Sequence, residues 1–255
     1  MLGLLHAARG SPGSALAESR AAIDAASQLG DDRHLALGLQ VQGIVRTWCG
    51  NPSQALADFD TAFDLANNRG DLLRLYQIRC HRGHALIRAG RFSEALAELD
   101  FALAMAARMD IAFALPLCRA WKAGALLEAG DPVAAEAEAR IALQMAAAAN
   151  RPWAHSVAHR ALAAARAAPG IADFAGAERA IRQALEEQYA IGLEFERATS
   201  LVVYARLLQV AGDMQRSKSL VSQTQALFKQ LKMVLSRDIL RDLTEIRCNP
   251  CGVSR

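Results

Sequence analysis

Small and large apolar residues recur along the chain in a helical rhythm broken about every twenty residues. After Gly50 come Ala55, Phe59 and Ala62, and after Gly90 come Ala95, Leu99 and Ala102. Spacings of four and three put each trio on one helical face. The same arrangement returns as Ala135, Ala139 and Ala142, then as Ala177, Ile181 and Ala184, and more loosely as Ser217, Val221 and Thr224. The interval before each turn holds a second helix, marked by a small residue at Gly43, Gly83, Ala123 and Ala205. The pattern therefore predicts an all-α chain of paired helices, each burying an apolar face on its neighbour.

The turns keep time. Gly10, Gly50, Gly90 and Gly130 lie forty residues apart, Ala172 takes the same slot two residues late, and Gly212 follows forty later. Glycine ends helices because it enters the left-handed region without a Cβ clash. Gly30, Gly70, Asp110, Asn150 and Gly192 mark a second set of stops, all residue types that tolerate that conformation. Ser11, Asn51 and Asp131, each followed by proline, are predicted N-caps, as are Asp173 and Asp213. Arg91 breaks the pattern, and Ser93 is the substitute cap expected there. Near Pro169 and Gly170 a helix should finish at about Ala168, because proline disfavours helical geometry in the residue before it. The two extra residues belong to that junction and read as a tolerated loop insertion rather than a change of curvature. Pro116 falls near a helix start, where it is harmless.

Gly43, Ala55, Phe59 and Ala62, and again Gly83, Ala95, Leu99 and Ala102, resemble the signature of the tetratricopeptide repeat. The resemblance runs from about residue 1 to about residue 232, with a period longer than the usual ~34 residues. It implies a right-handed α-solenoid of about six helix-turn-helix repeats of ~40 residues, with contacts mainly between neighbours. The longer period, and the closing string ALFKQLKM, are similar to the arrays that follow ATPase modules in bacterial multidomain cyclases and transcription regulators. Residues 1–247 are expected to form one superhelical domain ending in a capping helix, with 248–255 a flexible tail. By the repeat register Gly3 stands where Gly43 and Gly83 stand, so the opening apolar run reads as the second half of a helix. Upstream residues, a partner or self-association are expected to cover it.

Composition narrows the chemistry. Hydrophobic residues make up 53% of the chain but aromatics only 5%, which favours closely packed helices over a bulky sheet core. The net charge of +3 and the lack of a basic stripe interleaved with aromatics argue against a nucleic-acid partner. No apolar stretch approaches the ~20 residues of a membrane span, and the opening lacks the basic region of a secretory signal. Five scattered cysteines suit a reducing cytoplasm rather than a disulfide framework. No phosphate-binding loop, nucleophile elbow or zinc-protease helix occurs, so no enzymatic activity and no cofactor are expected. His155 and His159 stand four apart at metal-ligand spacing, but their own motif offers no third ligand, and a packing or surface role is the expectation. Cys80 and His84 share that spacing. Cys248 and Cys251 form a lone CxxC without a second pair.

What the resemblance implies is a groove lined by the first helix of each hairpin, taking a segment of another protein or peptide. By the repeat register Gln40, Ile44 and Trp48 line it from one hairpin, and Gln77, Cys80, His84 and Arg88 from the next. Leu127, Glu128, Arg206 and Gln209 follow further along. Trp48 is either the main anchor for a partner, since buried tryptophans dominate many interfaces, or a tryptophan packed between hairpins. The function expected is a non-catalytic, regulatory protein-interaction scaffold. The alternative is the C-terminal regulatory region of a larger signalling cyclase or ATPase-type transcription regulator.

Overall fold

Left-handed residues punctuate the chain at the positions the pattern marks. In the computed structural model, which describes residues 11–111 and 115–231, Gly30, Gly50, Gly70, Gly90, Gly130, Gly192 and Gly212 all have positive φ. Asp110, Asn150 and Ala172 do too, at 53°, 50° and 51°, so the three non-glycine residues in the rhythm take the conformation their slots demand. Among the described residues, eleven helices and no strand run between these points. They are α1 (Pro12–Gln28), α2 (Asp32–Trp48), α3 (Pro52–Asn68), α4 (Leu72–Arg88), α5 (Phe92–Arg108), α6 (Leu115–Glu128), α7 (Pro132–Ala148), α8 (Pro152–Ala167), α9 (Phe174–Ala190), α10 (Glu194–Val210) and α11 (Met214–Gln230). The chain is an all-α repeat solenoid.

Helix ends follow local chemistry. Asp131, Asp173 and Asp213 cap their helices by accepting from the backbone N–H groups of Ala134, Gly176 and Arg216. Ser11 and Asn51 occupy N-cap positions but make no side-chain cap, leaving Pro12 and Pro52 to set the first turn. Arg91, not Ser93, is the N-cap residue of α5. Its guanidinium pairs with Glu94 at 2.6 and 2.7 Å, so the first turn is held by side chains rather than by a serine hydroxyl. Helix α8 stops before Ala168, which is extended as the proline after it requires. Pro116 lies in the first turn of α6.

Each helix packs on the next, and the even-numbered helices also touch one another in sequence, α2 on α4, α4 on α6, α6 on α8 and α8 on α10. Contact with the helix after next marks the tighter radius of a curved array, so α2, α4, α6, α8 and α10 line its inner side. Within a hairpin the small-large pairs explain the close approach. A Cβ on Gly43 would lie 2.8 Å from the Phe59 ring, and one on Gly83 would lie 2.6 Å from Leu99 Cγ. The Ala55, Phe59, Ala62 and Ala95, Leu99, Ala102 trios are fully buried. Expectations for residues 1–10, for a capping helix after residue 231 and for the CxxC tail lie outside the described residues.

Candidate functional site

The inner side has two unlike parts. Near the starts of α8 and α10 it is filled. Trp48, at the end of α2, is 4% exposed and stacks on Phe195 with ring centroids 5.5 Å apart. It also meets the Trp153 ring edge-on at 5.9 Å. Trp153 donates its indole N–H to Glu196 Oε1 at 3.1 Å, and Glu196, itself buried, pairs with Arg160. Next to this, His84 lies flat on Trp121, centroids 4.6 Å apart and planes 2° from parallel. Burial first, then the charges of Arg88, His81 and Arg160, hold the His84 imidazole well below its usual pKa of 6.5. Burial pushes its neighbour His81 down to about 4. Both rings are neutral near pH 7, as a stack among guanidinium groups requires.

At the other ends of the inner helices the surface opens. The C-terminal ends of α6, α8 and α10 and the junction after α8 enclose a cleft of about 570 Å³. Its walls are mostly apolar: Leu127 from α6, Ala164 and Ala167 from α8, and Val203, Leu207 and Val210 from α10. Two charged side chains, Glu128 and Arg206, stand among them. The inserted Pro169 contributes to the rim, so the irregular junction is part of this cleft. Small alanine side chains on α8 leave the space that tryptophans and histidines occupy at the closed end.

All ten candidate groove residues lie on inner helices. Glu128 and Arg206 line the cleft. Gln77, Arg88 and Gln209 are partly exposed. Gln40, Ile44, Trp48, Cys80 and His84 are buried. Gln40 accepts from Arg74 Nη1 at 2.8 Å, and the same guanidinium reaches Gln77 at 3.1 Å. Trp48 thus takes the second of its two expected roles, a tryptophan packed between hairpins. The periodicity did not single out Val203, Val210 or Ala164, because small and aliphatic residues on an inner helix look the same whether they pack or face a cleft.

The histidine pair gains a partner that its own motif lacks. His155 Nδ1 lies 2.9 and 3.0 Å from the two carboxylate oxygens of Glu187 on α9. Among the described residues, His155, His159 and Glu187 are the one group of three metal-capable side chains close enough to share an ion. A signal for Glu187 existed. Gly43 meets Phe59, and Gly83 meets Leu99, each sixteen residues on. Applying that antiparallel register to the fifth hairpin, with its two-residue insertion, sets Ala163 opposite Ile181 and positions 155 and 159 opposite 189 and 185, which bracket Glu187. No helix among the described residues is long and apolar enough to cross a membrane.

No protein-family model and no curated protein sequence matches the chain. Solved structures do share its fold. A Rap protein complexed with Competence and Sporulation Factor superposes with a TM-score of 0.70 at 15% identity, over 96% of this chain and 72% of that one. The apo form of RapI does so with a TM-score of 0.63 at 13% identity, over 96% and 94%. BtubC (BKLC) from P. vanneervenii superposes with a TM-score of 0.60 at 15% identity, over 96% and 97%. At these identities the likeness is one of fold, and the fold is that of tetratricopeptide-like helical-repeat proteins.

Proposed function

We propose that the protein is a non-catalytic interaction scaffold that takes a segment of a protein or peptide into the cleft between α6, α8 and α10. The observation that carries this reading is the composition of that cleft. Its lining is aliphatic and alanine-rich, with one carboxylate and one guanidinium, and includes no serine, cysteine, histidine, lysine or tyrosine. Such a wall has no nucleophile-base pair to offer, and it suits burial of a few apolar anchors while Glu128 and Arg206 fix register and direction. The surface extends along the inner helices through the partly exposed Gln77, Arg88 and Gln209. The buried candidates support the array from within. The Rap structure bound to Competence and Sporulation Factor lends support by analogy of fold. A regulatory role follows if occupancy changes how the array presents its outer helices.

The test is peptide selection against the purified chain, followed by fluorescence anisotropy with the enriched peptides. Ala164→Trp, which fills the cleft, should weaken binding at least about tenfold, the equivalent of 1.4 kcal/mol. Arg206→Glu should shift the selected charge pattern from acidic towards basic. Peptides that bind Ala164→Trp as tightly as the parent chain, with helical circular dichroism unchanged, would remove the cleft as the binding site.

A further inference from the structure

We propose that His155, His159 and Glu187 form a binding site for a divalent transition-metal cation of the zinc class, bridging α8 and α9. The two histidines stand one helical turn apart on α8, and their rings are nearly perpendicular with centroids 4.6 Å apart. Glu187 reaches them from α9: His155 Nδ1 lies 2.9 Å from Glu187 Oε1, and His159 Nε2 lies 3.9 Å from the same oxygen. Tetrahedral zinc with bonds of ~2.0–2.1 Å holds its ligand atoms roughly 3.3 Å apart. The observed separations fall on either side of that value, and one ligand atom from each of the three residues lies within 4.8 Å of the others. The three ligand atoms are thus already gathered around one point, and closing on an ion calls for side-chain adjustment within the same pair of helices.

Three further observations favour coordination over a plain ion pair. First, His159 is uncommitted: its Nδ1 is buried with no hydrogen-bond partner, and the carboxylate oxygen beside its Nε2 lies beyond hydrogen-bond range. Second, the carboxylate is held from outside the trio, with Gln183 Nε2 donating to Glu187 Oε1 at 2.9 Å. Third, the repeat register distinguishes this hairpin. Residues 79, 119 and 159 are equivalent, and the first two are arginines paired with Glu98 and Glu138 at 2.9 and 2.6 Å. The third is a histidine, and its carboxylate partner sits further along the outer helix. A fixed cation in the earlier hairpins is thus replaced by a group that binds a cation from solution. Three protein ligands leave a fourth position for water.

The test uses the chelator-treated 255-residue chain in which Cys248→Ser and Cys251→Ser remove the competing thiolate pair. Calorimetric titration with zinc should show one equivalent bound, and cobalt should give the visible bands of nitrogen and oxygen ligation without a thiolate charge-transfer band. His159→Ala should weaken zinc binding by more than about 100-fold, beyond the ~10–100-fold that changes outside the ligand set cause. Glu187→Gln, which retains a hydrogen-bonding partner for His155, should also lose the site while the helical circular dichroism persists. Absence of zinc uptake by the parent chain, or uptake that both variants retain, would overturn the proposal. Because the trio sits in the first half of α8 and the cleft at its end, peptide binding and metal binding fail independently.

Discussion

The closed and open parts of the inner side share α6, α8 and α10, and they differ in the size of the side chains presented. At the closed end Trp48, Trp153, Phe195, Trp121 and His84 fill the concavity, joining α2 to α8 and α10 across more than a hundred residues of chain. At the open end Ala164, Ala167 and Val203 stop short and leave about 570 Å³. A solenoid held only by neighbour contacts flexes along its length. Here one end of the inner face is tied shut by rings, so the other end is presented on a braced frame. All three tryptophans of the chain belong to the closed end, so their fluorescence reads that end alone, while circular dichroism reads the whole array.

The largest expected effect comes from untying the closed end. Trp48→Ala removes a ring that is 4% exposed and touches two other aromatic side chains, which should cost about 3–5 kcal/mol of stability. Urea unfolding followed by fluorescence and by circular dichroism in parallel checks it. The two transitions should separate, with fluorescence moving first. A loss below about 1 kcal/mol would mean that the ring contacts do not brace the array.

A smaller effect should follow from acid. His81 and His84 are neutral when folded, with His81 protonating only at about 4, whereas in the unfolded chain both take up a proton near 6.5. Between those values the unfolded state binds more protons, so stability is full above about pH 6.5 and falls as pH drops towards 4. The expected loss is on the order of 1–2 kcal/mol. One pKa unit is worth about 1.4 kcal/mol, and solvent screens the partly exposed His81 ring. A His81→Gln, His84→Gln double variant should flatten the decline across this window in chemical unfolding. An unaltered pH profile would show that other groups carry it.

What the sequence makes legible is what repeats. The left-handed φ of Asp110, Asn150 and Ala172 was readable because each stands in a slot that glycine fills elsewhere. The apposition of Gly83 with Leu99 was readable as a small-large pair. Contacts that occur once carry no period. Nothing about Trp48 announces Phe195 as its partner, because their meeting depends on the summed rotation of every hairpin between them. For the same reason the groove register, which points to inner helices, could not say which stretch of them is filled. Glu128 and Arg206 line the cleft, while His84 and Cys80, equally well placed by register, are covered. Cap chemistry was partly legible: the aspartates cap, whereas Ser11 and Asn51 do not.

The smallest effect sharpens the comparison from the open side. Val210 lines the cleft and is 53% exposed, so its side chain contributes wall without filling core. Val210→Ser should change unfolding free energy by no more than about 0.5 kcal/mol, the usual range for surface substitutions. It should leave tryptophan fluorescence unaltered, because no tryptophan lines the cleft. The same substitution removes apolar surface that a bound segment would cover, and burial of such surface is worth roughly 25 cal/mol per Å². Peptide affinity should therefore fall while stability holds. A stability loss above 1 kcal/mol would place Val210 in the bracing of the array, and the division of the inner side into a filled end and a receiving end would no longer stand.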